Sequence, residues 1–301
     1  MRSITLLVTC GTSLLNNASR DANQEDAVNI TDSLHAMLVE INKRYNLAKL
    51  SRLEPGSMED YEVREKHTYA GSELFRVLKD YLREKEGNAS AEVNTINLLI
   101  NECRLVRDEI ENVFLYHSDT GSGYLCAKVI EEYLKEDKGL KNVQRIEIKG
   151  FSSGRTLNEF EEGMMELMSK VVKHVMNRKK NTKDKEDKVY VLATAGFKPE
   201  TTAAVIAALL AGADGIYYVY EANRELVRIP AIPIALRNDV KDEIMRIFNK
   251  KDYSVPMDVL LERGMGKEII DRLEEIGVTK TKVSEGFQYR IELRDWVKEL
   301  L

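Results

Sequence analysis

Short, almost wholly apolar runs alternate along this chain with longer stretches whose apolar residues recur every three or four positions. Residues 4–9, 113–116, 143–148, 189–192 and 216–220 are of the first kind and predict buried strands. The second kind predicts helices over 25–44 (Ala27, Ile30, Leu34, Leu38, Ile41), 122–134, 157–176 and 201–210, the last rich in alanine. Residues 45–107 read as helical in two pieces. One carries Leu74, Val77, Leu78, Tyr81 and Leu82, the other Val93, Ile96, Leu99 and Ile100. Regular alternation of strand and helix predicts an α/β fold: a Rossmann-like parallel sheet with helices on both faces.

The pattern changes after Pro230-Ala231-Ile232-Pro233. From Leu236 onward the order is three helices, two short strands and a helix. The helices are expected over 239–248, from near Pro256 to Gly264 with Ser254 as N-cap, and over 266–276. A hairpin across Glu285-Gly286 joins the expected strands 279–283 and 287–291, before a last helix over 293–300. That order predicts a winged helix-turn-helix, and the chain divides into domains 1–235 and 236–301. Such modules often read DNA. Residues 236–301, however, hold 13 Lys or Arg against 14 Asp or Glu, which favours a dimerising or covering role over a duplex-DNA partner.

Three loops follow predicted strands and are rich in small residues: Cys10-Gly11-Thr12-Ser13, Ser118-Asp119-Thr120-Gly121-Ser122-Gly123 and Thr194-Ala195-Gly196-Phe197-Lys198-Pro199. In an open parallel sheet, ligands bind beyond the carboxyl ends of the strands. Small residues admit a ligand to the backbone, and helix-start N–H groups attract phosphates. The loops therefore predict one shared pocket for a polyanion. The second resembles a phosphate-cradling loop but lacks the Gly-Lys-Ser/Thr ending of a P-loop. The third sets Lys198 immediately before Pro199 at a helix start, beside the positive end of the helix. A structural lysine avoids that place; a phosphate ligand or transition-state cation suits it.

The net charge is −5, from 45 basic and 50 acidic residues among 301, which argues against a broad sequence-independent nucleic-acid surface. The run Arg178 to Lys188, 11 polar residues long, reads as a solvated loop. Cys10, Cys103 and Cys126 have no disulfide or metal spacing, and no apolar segment reads as a signal or membrane span, so the expected location is the cytoplasm. His35, His67 and His174 fall on helices without carboxylates at metal-ligand spacing, so neither metal nor cofactor is expected. His117 and Cys10 follow neighbouring strands, as a nucleophile pair would, or simply pack at strand ends. Arg64 and His67 are too close for the Arg-x4-6-His signature of HEPN ribonucleases. Phe151-Ser152-Ser153-Gly154-Arg155 is a fourth polar loop, either a ligand contact or a turn.

Taken together, Val8 to Leu15, the Ser118–Gly123 loop, the Thr194–Pro199 loop and Tyr217-Tyr218-Val219-Tyr220-Glu221 resemble the CARF domain of type III CRISPR systems over most of residues 1–235. With a winged helix and no HEPN domain, the arrangement is similar to the stand-alone CRISPR ring nucleases. The resemblance implies a homodimer that binds cyclic tetra-adenylate across its two-fold axis. It also implies metal-free cleavage of the ring to 2′,3′-cyclic phosphate ends, which switches off an antiviral signal. By position the family's catalytic hydroxyl and lysine match Ser13 and Lys198, with Thr12 offering a second hydroxyl next door. In this reading the substrate's own 2′-OH attacks, and the protein holds it in line and stabilises the added charge. A competing reading is a transcription regulator gated by cyclic oligoadenylate, without catalysis. The mixed charge of residues 265–272 weighs against it. A metabolic Rossmann enzyme ranks last, because Gly-x-Gly-x-x-Gly is missing after the first strand.

Overall fold

The computed structural model describes residues 3–24, 30–103, 105–150, 157–181, 187–196, 198–220, 223–248, 252–284 and 288–301. Its main sheet has six strands: β1 (Ile4–Thr9), β2 (Ile110–Ser118), β3 (Val143–Ile148), β4 (Lys188–Leu192), β5 (Gly215–Tyr220) and β6 (Glu225–Ile229). Their order is β3-β2-β1-β4-β5-β6. The first five are mutually parallel, and β6 runs antiparallel to β5. All six residues of β1 are buried, as a central strand covered on both faces requires. The chain winds from β1 outward to β3, then returns to β4 on the other side of β1. The carboxyl ends of β1 and β4 thus flank a topological switch point, the place where such sheets leave a crevice.

Helices cover both faces. One face carries α1 (Ser13–Ala22), α2 (Asp32–Tyr45), α3 (Leu47–Leu50), α4 (Met58–His67), α5 (Glu73–Lys85), α6 (Ala91–Glu102) and α7 (Gly121–Glu136). Six of these lie between β1 and β2, where a simple βαβ unit has one. The helix expected over 25–44 is found as α2, with 25–29 outside the described residues; α1, before it, was not expected, and the two pieces expected over 45–107 are four helices. Side-chain caps fix several starts: Thr31 accepts from Leu34 N, Ser57 from Asp60 N and Ser90 from Val93 N.

The other face carries α8 (Leu157–Asn181) and α9 (Lys198–Leu210). The polar run read as a loop from Arg178 is helical through Asn181. Arg178 pairs with Glu111 and, at 3.3 Å, with Asp187; Lys188 opens β4 and pairs with Asp214 at 3.1 Å. These charges tie α8 to strand edges, and only 182–186 of the run lie outside the described residues.

Residues 230–237 carry no regular element. Beyond them come α10 (Asn238–Ile247), β7 (Ser254–Pro256), α11 (Met257–Glu262), α12 (Lys267–Glu275), β8 (Thr279–Val283), β9 (Tyr289–Leu293) and α13 (Asp295–Leu300). The three strands form an antiparallel sheet in the order β7-β9-β8. Ser254, expected as a helix cap, lies in β7, because its backbone pairs with Glu292; α11 starts after Pro256. The turn at Glu285-Gly286 lies outside the described residues. Trp296 donates its indole N–H to Gly277 O at 3.0 Å, and with Val297 it joins the core that also holds Leu167, Val171 and Ala207. The C-terminal elements therefore share one core with α8 and α9. Among the described residues no helix is long and apolar enough to cross a membrane.

Candidate functional site

The parallel register brings all three loops to one end of the sheet. Thr9 is opposite Tyr116, Val8 is opposite Leu192, and Cys10 N donates to Tyr116 O at 2.7 Å. There a cleft of about 490 Å³ opens. Gly11, Thr12 and Ser13 line it from the first loop; Ser118, Thr120, Ser122 and Gly123 from the second; Thr194, Ala195 and Gly196 from the third. Asn16, Ser51, Leu53, Ala91 and Glu200 complete the wall. The first and third loops touch through backbone. A Cβ on Gly11 would lie 3.0 Å from Gly196 N, and Gly196 has φ +100°, a conformation glycine alone adopts freely. The Thr9 hydroxyl donates to Ala195 O from below, and Thr194 Oγ1 accepts from Val219 N at 2.9 Å.

Not every expected residue faces the cleft. Asp119 turns away, its Oδ2 accepting from Gly150 N at 3.1 Å. Lys198 stands exposed at the start of α9 and is not among the residues that line the cleft. Phe197 and the loop 151–155 lie outside the described residues, as does Glu221.

Three helices begin here, and they differ. At α1, Thr12 occupies the N-cap without a side-chain cap; its Oγ1 donates instead to Ser51 O at 3.1 Å. The first N–H groups of α1 thus keep their positive end toward the cleft. α9 begins at Lys198, and Glu200 in its first turn lines the cleft. The α7 terminus is closed, contrary to the phosphate-cradle expectation. Thr120 Oγ1 accepts from Gly123 N at 3.0 Å and Asp60 Oδ1 from Gly121 N at 2.8 Å. A Cβ on Gly121 would lie 2.1 Å from Asp60 O, so this glycine lets α4 and α7 touch. Burial holds the Asp60 carboxyl above its ordinary range despite those N–H donors.

Beneath the first loop lies a carboxylate that the sequence did not single out. Glu92, in the first turn of α6, is 1% exposed. Its Oε1 accepts from Gly11 N at 2.7 Å; its Oε2 accepts from Ser13 Oγ at 2.8 Å and from Ser90 Oγ at 2.6 Å. Ser13 Oγ also accepts from Ala91 N at 3.1 Å. A buried carboxylate with three donors is fully paired, and it pins the first loop to α6.

Residues 87–232 match the model of a family described as CRISPR-associated protein (Cas_APE2256). That stretch, a little under half of the chain, is similar to this CRISPR-associated family. The match bears out the recognition of a CRISPR-associated accessory protein of CARF type. It takes in Glu92, the second and third loops and strands β2 to β6, and stops short of the first loop and of α10 to α13.

Cys10 and His117 are both buried, at 3% and 2% exposure, and do not form a nucleophile pair. Burial, then the Glu92 carboxylate, push the Cys10 thiol well up, while burial lowers His117 to about 4. His117 Nδ1 lies 2.7 Å from Ser118 O, which takes its proton as a hydrogen bond. A neutral thiol and a neutral imidazole do not supply the thiolate that such catalysis needs. Arg64 and Arg145 stack on Tyr124, 4.8 and 4.4 Å from its centroid, and each is neutralised, Arg64 by Glu147 at 2.7 Å and Arg145 by Glu131 at 2.6 Å. They support the second loop, while Lys198 is exposed at the start of α9.

Proposed function

We propose that this CRISPR-associated protein is a ring nuclease that binds cyclic tetra-adenylate and cleaves it without a metal, switching off the antiviral signal in the cytoplasm. The observation that carries the reading is the meeting of two helix starts at one cleft on the switch point: α1 with Ser13 at its first position, α9 with Lys198 at its own. Two positive helix ends and a lysine suit a phosphodiester. The cleft of one chain suits a single small ligand rather than four nucleotides, which supports a two-fold dimer that offers each loop set twice. The substrate's 2′-oxygen attacks the neighbouring phosphorus, the bond to the 5′-oxygen breaks, and Lys198 stabilises the charge of the phosphorane. The products carry 2′,3′-cyclic phosphate and 5′-hydroxyl ends.

The order of helices and strands in residues 236–301 supports reading them as a winged helix. On α12, Arg272 is spent on Glu243 at 2.6 Å and Asp239 at 3.7 Å, which argues against a duplex-DNA partner and against the regulator reading. The test is incubation of the protein with labelled cyclic tetra-adenylate in EDTA. Linear product with cyclic phosphate ends is expected. Ring left intact by excess protein after long incubation would overturn the enzyme and favour the signal-gated regulator.

A further inference from the structure

We infer that Glu92 is a positioning residue that turns Ser13 into a proton acceptor for the 2′-hydroxyl of the ligand, a role that rests on the ring-nuclease reading above. A serine hydroxyl has one hydrogen to give and two lone pairs. Glu92 Oε2, 2.8 Å away, takes the hydrogen of Ser13, and Ala91 N, at 3.1 Å, takes one lone pair. The lone pair that remains serves the cleft. Ser13 therefore meets a ligand as an acceptor. A phosphate oxygen, itself an acceptor, finds no donor in that hydroxyl; a ribose 2′-OH does find its acceptor there.

The same accounting separates the two adjacent hydroxyls. Thr12 Oγ1 gives its hydrogen to the backbone carbonyl of Ser51, which cannot take up a proton. Ser13 gives its own to a carboxylate, which can. Glu92 is held for this role from three sides, by Gly11 N of the first loop, by Ser13 and by the buried Ser90 of its own helix start. The titratable groups facing it are Cys10 at the end of β1 and Cys126 on α7. Burial raises both thiols, so both stay neutral and leave Glu92 as the proton acceptor among them. Glu200, in the first turn of α9, faces Cys10 from across the cleft wall.

The step balances as follows. The 2′-oxygen bonds to phosphorus while its proton moves to Ser13 Oγ and the proton of Ser13 moves to Glu92 Oε2. The bond from phosphorus to the 5′-oxygen breaks, and that oxygen takes a proton from water. Glu92 then returns its proton through Ser13 to water, so no proton is gained or lost overall.

The test is single-turnover cleavage of labelled cyclic tetra-adenylate between pH 4.5 and 8, with ring binding measured separately, for wild type, Glu92→Gln, Ser13→Ala and the double variant. Loss of one general base lowers rate by about 10²- to 10⁴-fold. We expect Glu92→Gln to lose at least about 10²-fold in rate, bind the ring within a few-fold of wild type, and lack the fall in rate that wild type shows toward acid. Groups acting as a unit are not additive, so the double variant should lose no more than Ser13→Ala alone. Should Glu92→Gln fail to fold, Ser90→Ala supplies the test. Removing one of the donors that hold Oε2 loosens Glu92 behind Ser13, so the rate should fall while ring binding stays within a few-fold of wild type. Glu92→Gln that cleaves like wild type with the same acid-side fall, additive losses, or an unchanged rate in Ser90→Ala would each overturn this role while ring cleavage stood. Wild type that leaves the ring intact would overturn the ring-nuclease reading, and this role with it.

Discussion

Replacing Lys198 by alanine should cost rate but not stability. Lys198 opens α9 and is exposed, with no ion pair among the described residues. A cation in the first turn of a helix opposes the macrodipole by about 0.3–1 kcal/mol, and Glu200 in the same turn offsets part of this. Lys198→Ala should therefore leave the melting temperature unchanged or raise it by no more than about 2–4 °C. The rate is another matter. Two unit charges about 4 Å apart interact by about 1 kcal/mol in bulk water and about 4 kcal/mol near a protein surface. In the proposed dimeric complex, ligand and a second chain would displace water around Lys198, so its loss should fall in that span. Converted to rate, this is a loss of about 5-fold to about 10³-fold. The assay is single-turnover cleavage of cyclic tetra-adenylate, with ring affinity and thermal melting measured on the same samples. Lys198→Arg, which keeps the charge, should recover most of the rate. An alanine variant that cleaves like wild type, or that loses stability in place of rate, would refute the reasoning.

Two further outcomes follow from buried groups. Burial lowers His117 and His174 each to about 4. Below about pH 6.5 the unfolded chain protonates both while the fold does not, so stability falls as pH falls, by about 1.4 kcal/mol per pH unit for each histidine. Urea unfolding at pH 6.5 and pH 5 should differ by about 3 kcal/mol from this pair, and a flat profile would contradict their burial as neutral rings. Of the three cysteines, Cys103 is exposed while Cys10 and Cys126 are buried with raised thiols. A small thiol reagent should label Cys103 first under native conditions, and rapid labelling of Cys10 would reopen the nucleophile reading.

The sheet was legible in the sequence because buried parallel strands are written as unbroken apolar runs; β1, wholly buried, is the plainest. What those runs deliver is one end of the sheet, and so the three loops at the cleft. The edge strand β6 was not legible: Glu225 to Ile229 is mostly exposed, so nothing in its pattern separates it from a loop. Nor was α1, whose Ser, Asn, Arg and Asp residues dilute the apolar period, although Leu14, Leu15 and Ala18 are buried. Arg178 looked like part of a solvated charge run because its partner Glu111 is 67 residues away in the chain.

The same limit decides the chemistry of the cleft. Local rules say that a strand end with small residues can admit a phosphate, and they say it equally of all three loops. They do not say what the excursion between β1 and β2 lays on each. Asp60 from α4 reaches the start of α7 and fills it with a carboxylate, so that this helix end holds a side chain where an anionic ligand would otherwise sit. Glu92 from α6 reaches the first loop and takes the hydrogen of Ser13. Each acidic residue stands in the first turn of its own helix, where a carboxylate is ordinary and signals only a helix start. Their effects on the cleft are opposite. One carboxylate removes a helix terminus from the anion site, while the other leaves the positive start of α1 open and gives the hydroxyl on it an acceptor for protons. A loop that binds phosphate and a loop that prepares a 2′-hydroxyl can thus carry the same small residues, and the difference lies in the carboxylate behind them.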